Sequence, residues 1–266
     1  MKIRILGFII FSSVFAAKIS AAVPADLMFH NQPIDALCFF NSEGKEIDLE
    51  DCGLAKAKYA VKGHNSSLIA KGYIGYNWQD PEYPGPAEGY SYYKFFNAGN
   101  NEYWLYTINS GGGTGDFTTL YKVKRKNTRT LEIEMLVGGD RCNGGVQDVS
   151  VVNNHLSFSQ NQTAYDLIAL SKTSDLKVKA YDDLAACAIC CVAKAYYKLN
   201  SNAQLQLNFV DLEHAKDMQE MTEQGTLQPC FNQLFASYHA EGKNKLTQNM
   251  LDEFVAKFKQ NCKKAD

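Results

Sequence analysis

The sequence predicts an α+β protein: an antiparallel β-rich part followed by a C-terminal helical part stapled by disulfides. Three observations carry this expectation. Apolar and polar residues alternate with period two between about residues 34 and 170; the period becomes helical further on; and the eight cysteines are even in number, five of them in the second part.

The chain opens on Lys2 and Arg4, an apolar run over residues 5–15, and small residues Ser20, Ala21 and Ala22 just before Pro24. This is the pattern of a secretory signal peptide over residues 1–22, with a mature N-terminus near Val23. The run falls well short of the roughly 20 apolar residues that span a bilayer, and no comparable run follows, so no membrane span is expected. The first cysteine is Cys38, too far from the cleavage point for a lipid anchor. The expected location is periplasmic or extracellular, that is, secreted.

Residues 23–175 read as the β-rich domain. Leu131, Ile133, Met135 and Val137 alternate with Thr130, Glu132, Glu134 and Leu136, as in a half-buried strand. Further strands are expected over residues 103–108, 117–124, 149–151 and 156–158, separated by Gly- and Asn-rich turns. Cys38 and Cys52 flank an expected hairpin turn at Asn41-Ser42-Glu43-Gly44, a geometry that lets them pair. Acidic residues outnumber basic ones up to residue 175 and the two balance afterwards, which places a boundary near Ser171 to Asp175.

Residues 176–266 read as the helical domain. The stretch 184–199 is apolar around nearly its whole circumference and predicts a central, buried helix. Residues 211–224 predict a second, stopped by Gly225. Pro229 opens a third, with Phe231, Leu234, Phe235 and Tyr238 three and four apart, and Thr247 caps a fourth carrying Met250, Leu251, Phe254, Val255 and Phe258 on one stripe. If Cys187, Cys190 and Cys191 stand on one helix, each needs a partner elsewhere: Cys187 and Cys191 share a face and suit Cys230 and Cys262, which leaves Cys190 for Cys142.

With 27 basic against 29 acidic residues and a formal charge of −2, bulk charge does not point to nucleic acid. The basic group Lys122, Lys124, Arg125, Lys126 and Arg129 sits at an expected strand turn and reads as a solvated hairpin end. The five histidines, His30, His64, His155, His214 and His239, show no zinc spacing, so neither metal nor cofactor is expected. Asn109-Ser110-Gly111-Gly112-Gly113-Thr114-Gly115 lacks the Lys-Ser/Thr ending of a phosphate loop and reads as a hairpin.

Two segments stand out as binding surfaces. Residues 73–106 hold 12 aromatic side chains, including Trp78, Tyr83, Tyr90 and Tyr92, interrupted by Pro81, Pro84 and Pro86; residues 78–93 are expected to be the exposed portion. The loop from Gly138 to Gly145 brings Asp140, Arg141 and Asn143 together among four glycines, with Arg141 suited to a carboxylate. Its plainer reading is a tight connection held by a disulfide and an Asp140–Arg141 ion pair. Calcium binding by Asp140, Asn143 and Asp148 lacks the spacing of a known loop.

The leading functional expectation is a non-enzymatic binding or inhibitor-type module for another exported protein or a glycan. The alternatives are an exported hydrolase using the Asp140–Asn143 loop, either with Cys142 as nucleophile and His155 as base or with the acidic residues of the same loop, and a disulfide oxidoreductase using Cys187 and Cys190. Asn65-Ser66-Ser67 and Asn161-Gln162-Thr163 are acceptor triplets in a eukaryotic secretory pathway.

Overall fold

A computed structural model describes residues 22–40, 42, 45–54, 58–82, 87–152, 155–173, 177–199, 204–213 and 224–262. Residues 1–21 of the expected signal peptide and Tyr83 lie outside these residues, as does most of the helix expected over 211–224. The strands in chain order are β1 (Met28–Phe29), β2 (Gln32–Pro33), β3 (Glu46–Asp48), β4 (Ala60–Gly63), β5 (Ile74–Gln79), β6 (Gly89–Gly99), β7 (Glu102–Ser110), β8 (Phe117–Arg125), β9 (Thr130–Asp140), β10 (Val146–Val152), β11 (His155–Gln162), β12 (Ala193–Leu199), β13 (Leu205–Asp211) and β14 (Lys245–Leu246). The helices are α1 (Ser66–Ala70), α2 (Ala164–Ala169), α3 (Gln228–Ala240) and α4 (Gln248–Asn261). The α+β expectation holds: the protein is mostly antiparallel sheet, with its longer helices at the C-terminus, joined by Cys230–Cys262.

Seven strands form one antiparallel sheet in the order β3-β9-β8-β7-β6-β5-β4, and five form a second in the order β10-β11-β12-β13-β14. Turn chemistry sets the register of the first. Asn100 and Asn101 both adopt positive φ (54° and 57°) between paired Gly99 and Glu102, the two-residue turn whose twist matches a hairpin. At the β8–β9 turn, Asn127 Oδ1 accepts the amides of Arg129 and Thr130 at 2.8 Å each.

Alternation along β7 divides the interior. Tyr103 and Leu105 enter one core with Leu27, Ile34, Phe39, Tyr93, Tyr121, Val123, Leu131 and Ile133, while Trp104 and Tyr106 enter another with the five-stranded sheet and the helices. In the second core Phe231 of α3 meets Phe254 of α4 at 5.8 Å, and Tyr238 meets Phe254 at 5.0 Å. The apolar stripes of both helices face inward as their spacing predicts.

Four expectations change. First, the alternation on β9 breaks at Leu136: the pairing skips it between Leu120↔Val137 and Tyr121↔Met135, so Met135 is 63% exposed and Val137 packs on the opposite face. Second, residues 184–199 are not a helix. Residues 184–192 run irregularly and β12 follows, a central strand paired on both sides. The apolar residues 184–193 mask the change of period that follows: along β12 Ala193, Ala195, Tyr197 and Leu199 are buried and alternate with Lys194, Tyr196 and Lys198, the pattern of a half-buried strand. Third, Asp211 ends β13 instead of opening a helix, and Gly225 is required by close approach: a Cβ would lie 2.5 Å from the Asp183 carbonyl. Fourth, the disulfides beyond Cys38–Cys52 pair differently: Cys142–Cys191, Cys187–Cys190 and Cys230–Cys262, with Cα separations of 4.8, 5.1 and 5.7 Å. Without a helix the chain turns between Cys187 and Cys190 and brings their sulfurs together, and Cys191 is left for Cys142.

The five-stranded sheet takes β10 and β11 from before residue 175 and β12 to β14 from after it. Among the described residues, no helix is long and apolar enough to cross a membrane.

Candidate functional site

Antiparallel order places the end of β5, the start of β6, the end of β7, the start of β8 and the end of β9 at one end of the seven-stranded sheet. Across it the pairs Trp78↔Gly89, Tyr90↔Ser110, Asn109↔Phe117 and Phe117↔Asp140 stand in register. The aromatic segment and the glycine-rich loop, far apart in sequence, therefore meet here.

Their junction is Asp116. The Tyr90 hydroxyl donates to its Oδ1 at 3.0 Å, the Asp116 amide donates to Asp140 Oδ1 at 2.8 Å, and Arg141 Nε donates to the same Asp140 oxygen at 3.2 Å. Burial, then the neighbouring Asp116 carboxylate, pushes the Tyr90 hydroxyl up to about 12. The expected Asp140–Arg141 ion pair is present, and the Arg141 side chain remains 36% exposed.

The glycine-rich loop folds back on itself. A Cβ on Gly139 would fall 1.8 Å from the Asn143 carbonyl oxygen, and one on Gly145 would fall 2.3 Å from the Arg141 carbonyl oxygen. Glycine is needed at both for that closeness. The Asn161 side chain donates to the Arg141 carbonyl at 2.9 Å, and the Asn143 side chain donates Nδ2–H to the Ala186 carbonyl. Cys142 N–H donates to the Ala188 carbonyl at 3.2 Å, beside the Cys142–Cys191 bridge. A second loop, residues 186–191, is thus zipped to the first. It carries Ile189, 69% exposed, while Phe117 is 48% exposed on the adjoining strand.

The aromatic segment is less exposed than its prolines suggest. Trp78 is 3% and Tyr92 1% exposed. The prolines fall in the connection between β5 and β6, so they leave both strands free to be interior members of the sheet. Trp78 donates Nε1–H to Ser91 Oγ at 3.1 Å and packs on Tyr59 (4.5 Å) and Phe40 (5.4 Å). Its ring still lines a shallow cleft of about 640 Å³ with Phe40, Tyr59, Asp80 and Gly111–Gly113. The Tyr92 hydroxyl is held between the Asn65 amide and Asn77 Oδ1. Tyr90 is partly exposed.

The Cys142–His155 dyad is overturned. Cys142 is bridged, and His155 pairs with Val152 at the far end of the β10–β11 hairpin, about 20 Å of strand away. Asp148, Asn143 and Asp140 each hold a different partner, with Asp148 bound by Ser159 Oγ at 2.7 Å. Among the described residues no group of three His, Cys, Asp or Glu side chains is placed to hold a metal. The basic group is largely matched by acids: Lys122 by Glu102 (2.9 Å), Lys126 by Glu46, and Arg129 by Asp48 (2.7 Å). Arg125 donates to the Met28 carbonyl.

Asp116, Phe117 and Ile189 were not singled out by sequence reasoning. Asp116 closes a glycine run that reads as a plain hairpin, and Ile189 stands within the run read as a buried helix. The chain matches no protein-family model, no curated protein and no solved structure.

Proposed function

We propose that this chain is an exported binding module that recognises another exported protein through the β5–β9 end of its larger sheet. The observation that carries the reading is the meeting of two distant segments at Asp116, flanked by exposed Phe117, Ile189 and Arg141. Exposed apolar side chains and a partly exposed arginine are the composition of an interface anchor. A protein surface suits these scattered side chains better than a sugar, because Trp78 and Tyr92, the rings best suited to stacking, are buried. Four disulfides and the N-terminal pattern of residues 1–22 agree with an oxidising, exported setting. The test is affinity capture from the native exported fraction, with wild type compared to variants at Phe117 and Arg141. Recovery of a glycan in place of a protein would overturn the choice of partner.

A further inference from the structure

Of the four bridges, Cys187–Cys190 closes the shortest loop, a sequence separation of 3 against 14, 32 and 49 for the others. It therefore restrains the unfolded chain least. It is also scarcely needed to hold its own segment. The turn is closed by Cys190 N–H donating to the Cys187 carbonyl at 2.9 Å. Its flanks are tied by Cys142–Cys191, by the Cys142 amide on the Ala188 carbonyl, and by the Val192 amide on the Gln162 carbonyl at 2.9 Å.

The two cysteines are unequally exposed. Cys187 is partly exposed, whereas Cys190 is 5% exposed. Between them stands Ile189, at 69% the most exposed large apolar side chain among the described residues. An incoming chain meets an apolar foothold beside the more exposed cysteine, and the other cysteine is buried.

We propose that Cys187–Cys190 is a thiol–disulfide exchange site for dithiol proteins or peptides of the exported compartment. A substrate thiolate attacks Cys187 Sγ; the Sγ–Sγ bond breaks, and Cys190 leaves as a thiolate and takes up a proton. The second substrate thiol, deprotonated, attacks its own sulfur of the mixed disulfide and releases Cys187 as a thiolate. The substrate dithiol loses two electrons and becomes a disulfide, and the Cys187–Cys190 bridge gains them as two thiols. Cys142–Cys191 stays closed throughout and keeps the loop in place. This activity does not depend on the partner-recognition reading, since the Phe117 and Arg141 variants that test that reading leave both the bridge and Ile189 intact.

The experiment is timed reduction of the native protein by limiting dithiothreitol, quenched with iodoacetamide and mapped by peptide mass. Cys187 and Cys190 should be alkylated together, on the order of tenfold faster than any other pair, with the near-ultraviolet circular dichroism unchanged. Another bridge opening as fast, or opening of this one only with loss of the native spectrum, overturns the proposal. In parallel, wild type should oxidise one equivalent of a reduced two-cysteine peptide, and the Cys187→Ser/Cys190→Ser variant none. A variant that fails to fold also overturns the proposal, because a bridge that folding requires is structural.

Discussion

Gly89 stands directly opposite Trp78 in the β5–β6 pairing, and the indole lies against the bare glycine: a Cβ there would fall 2.5 Å from the ring. Gly89→Ala should therefore force the indole outward and destabilise the protein by about 1–3 kcal/mol. Urea unfolding at neutral pH measures it. An unchanged midpoint would show that the ring can yield without cost. Trp78→Ala should cost more, about 3–5 kcal/mol, so any loss of binding in that variant reports unfolding.

Asp35 holds the N-terminal segment to the sheet. Its carboxylate accepts the Leu37 amide at 2.9 Å, the Leu54 amide at 2.8 Å and the Tyr76 hydroxyl, and it lies between the two residues of the Cys38–Cys52 bridge and β5. Asp35→Ala should cost about 1–3 kcal/mol by leaving these donors unpaired. Tyr76→Phe, which removes one donor together with its bond, should cost less. Equal losses in the two variants would contradict this account.

Stability should fall at high pH. Burial raises the hydroxyls of Tyr93, Tyr106 and Tyr197 well above their ordinary value, and nearby acids add to the effect. A raised native value means that the unfolded chain ionises first. The contribution is thus complete below about pH 10, the unfolded value, and is lost as pH rises above it toward the native values. Tyrosinate absorbance should show these three titrating only together with unfolding. Their ionisation near pH 10 with an intact circular dichroism spectrum would refute the burial argument.

The bridges should differ in worth. By loop length, removing Cys187–Cys190 should cost about 2 kcal/mol, Cys38–Cys52 about 3, and Cys142–Cys191 about 4. Paired Cys→Ser variants compared by denaturant midpoint give the order. The largest loss at Cys187–Cys190 would reverse it and would make that turn a folding requirement.

Binding should depend on the exposed side chains at the β5–β9 end. Phe117→Ala and Arg141→Ala should each weaken affinity for the captured partner by about 2 kcal/mol, roughly thirtyfold. Ile189→Ala should act in the same direction without changing the disulfides. Folded variants that all bind with wild-type affinity would remove this end of the sheet from consideration.

What the sequence determined by itself is local. Period-two alternation marked β7, β8 and β11, the spacing of Phe231, Phe235 and Tyr238 marked α3, and the nearness of Cys38 to Cys52 sufficed for that bridge. The strand and helix signals are carried by residues a few positions apart, and burial of one face is enough to produce them; the Cys38–Cys52 pair spans a sequence separation of 14 across one short turn-bearing segment. Three things were decided only by tertiary structure. Residues 193–199 became a strand because β11 and β13 take up its backbone hydrogen bonds on both sides, a pairing that the apolar residues running into it from 184 do not announce. Cys142 reached Cys191 because two loops 49 residues apart are zipped together. The candidate site likewise exists only where antiparallel pairing brings Tyr90, Asp116 and Asp140 to one end of a sheet, since long-range register depends on how whole faces pack and not on any short run of residues.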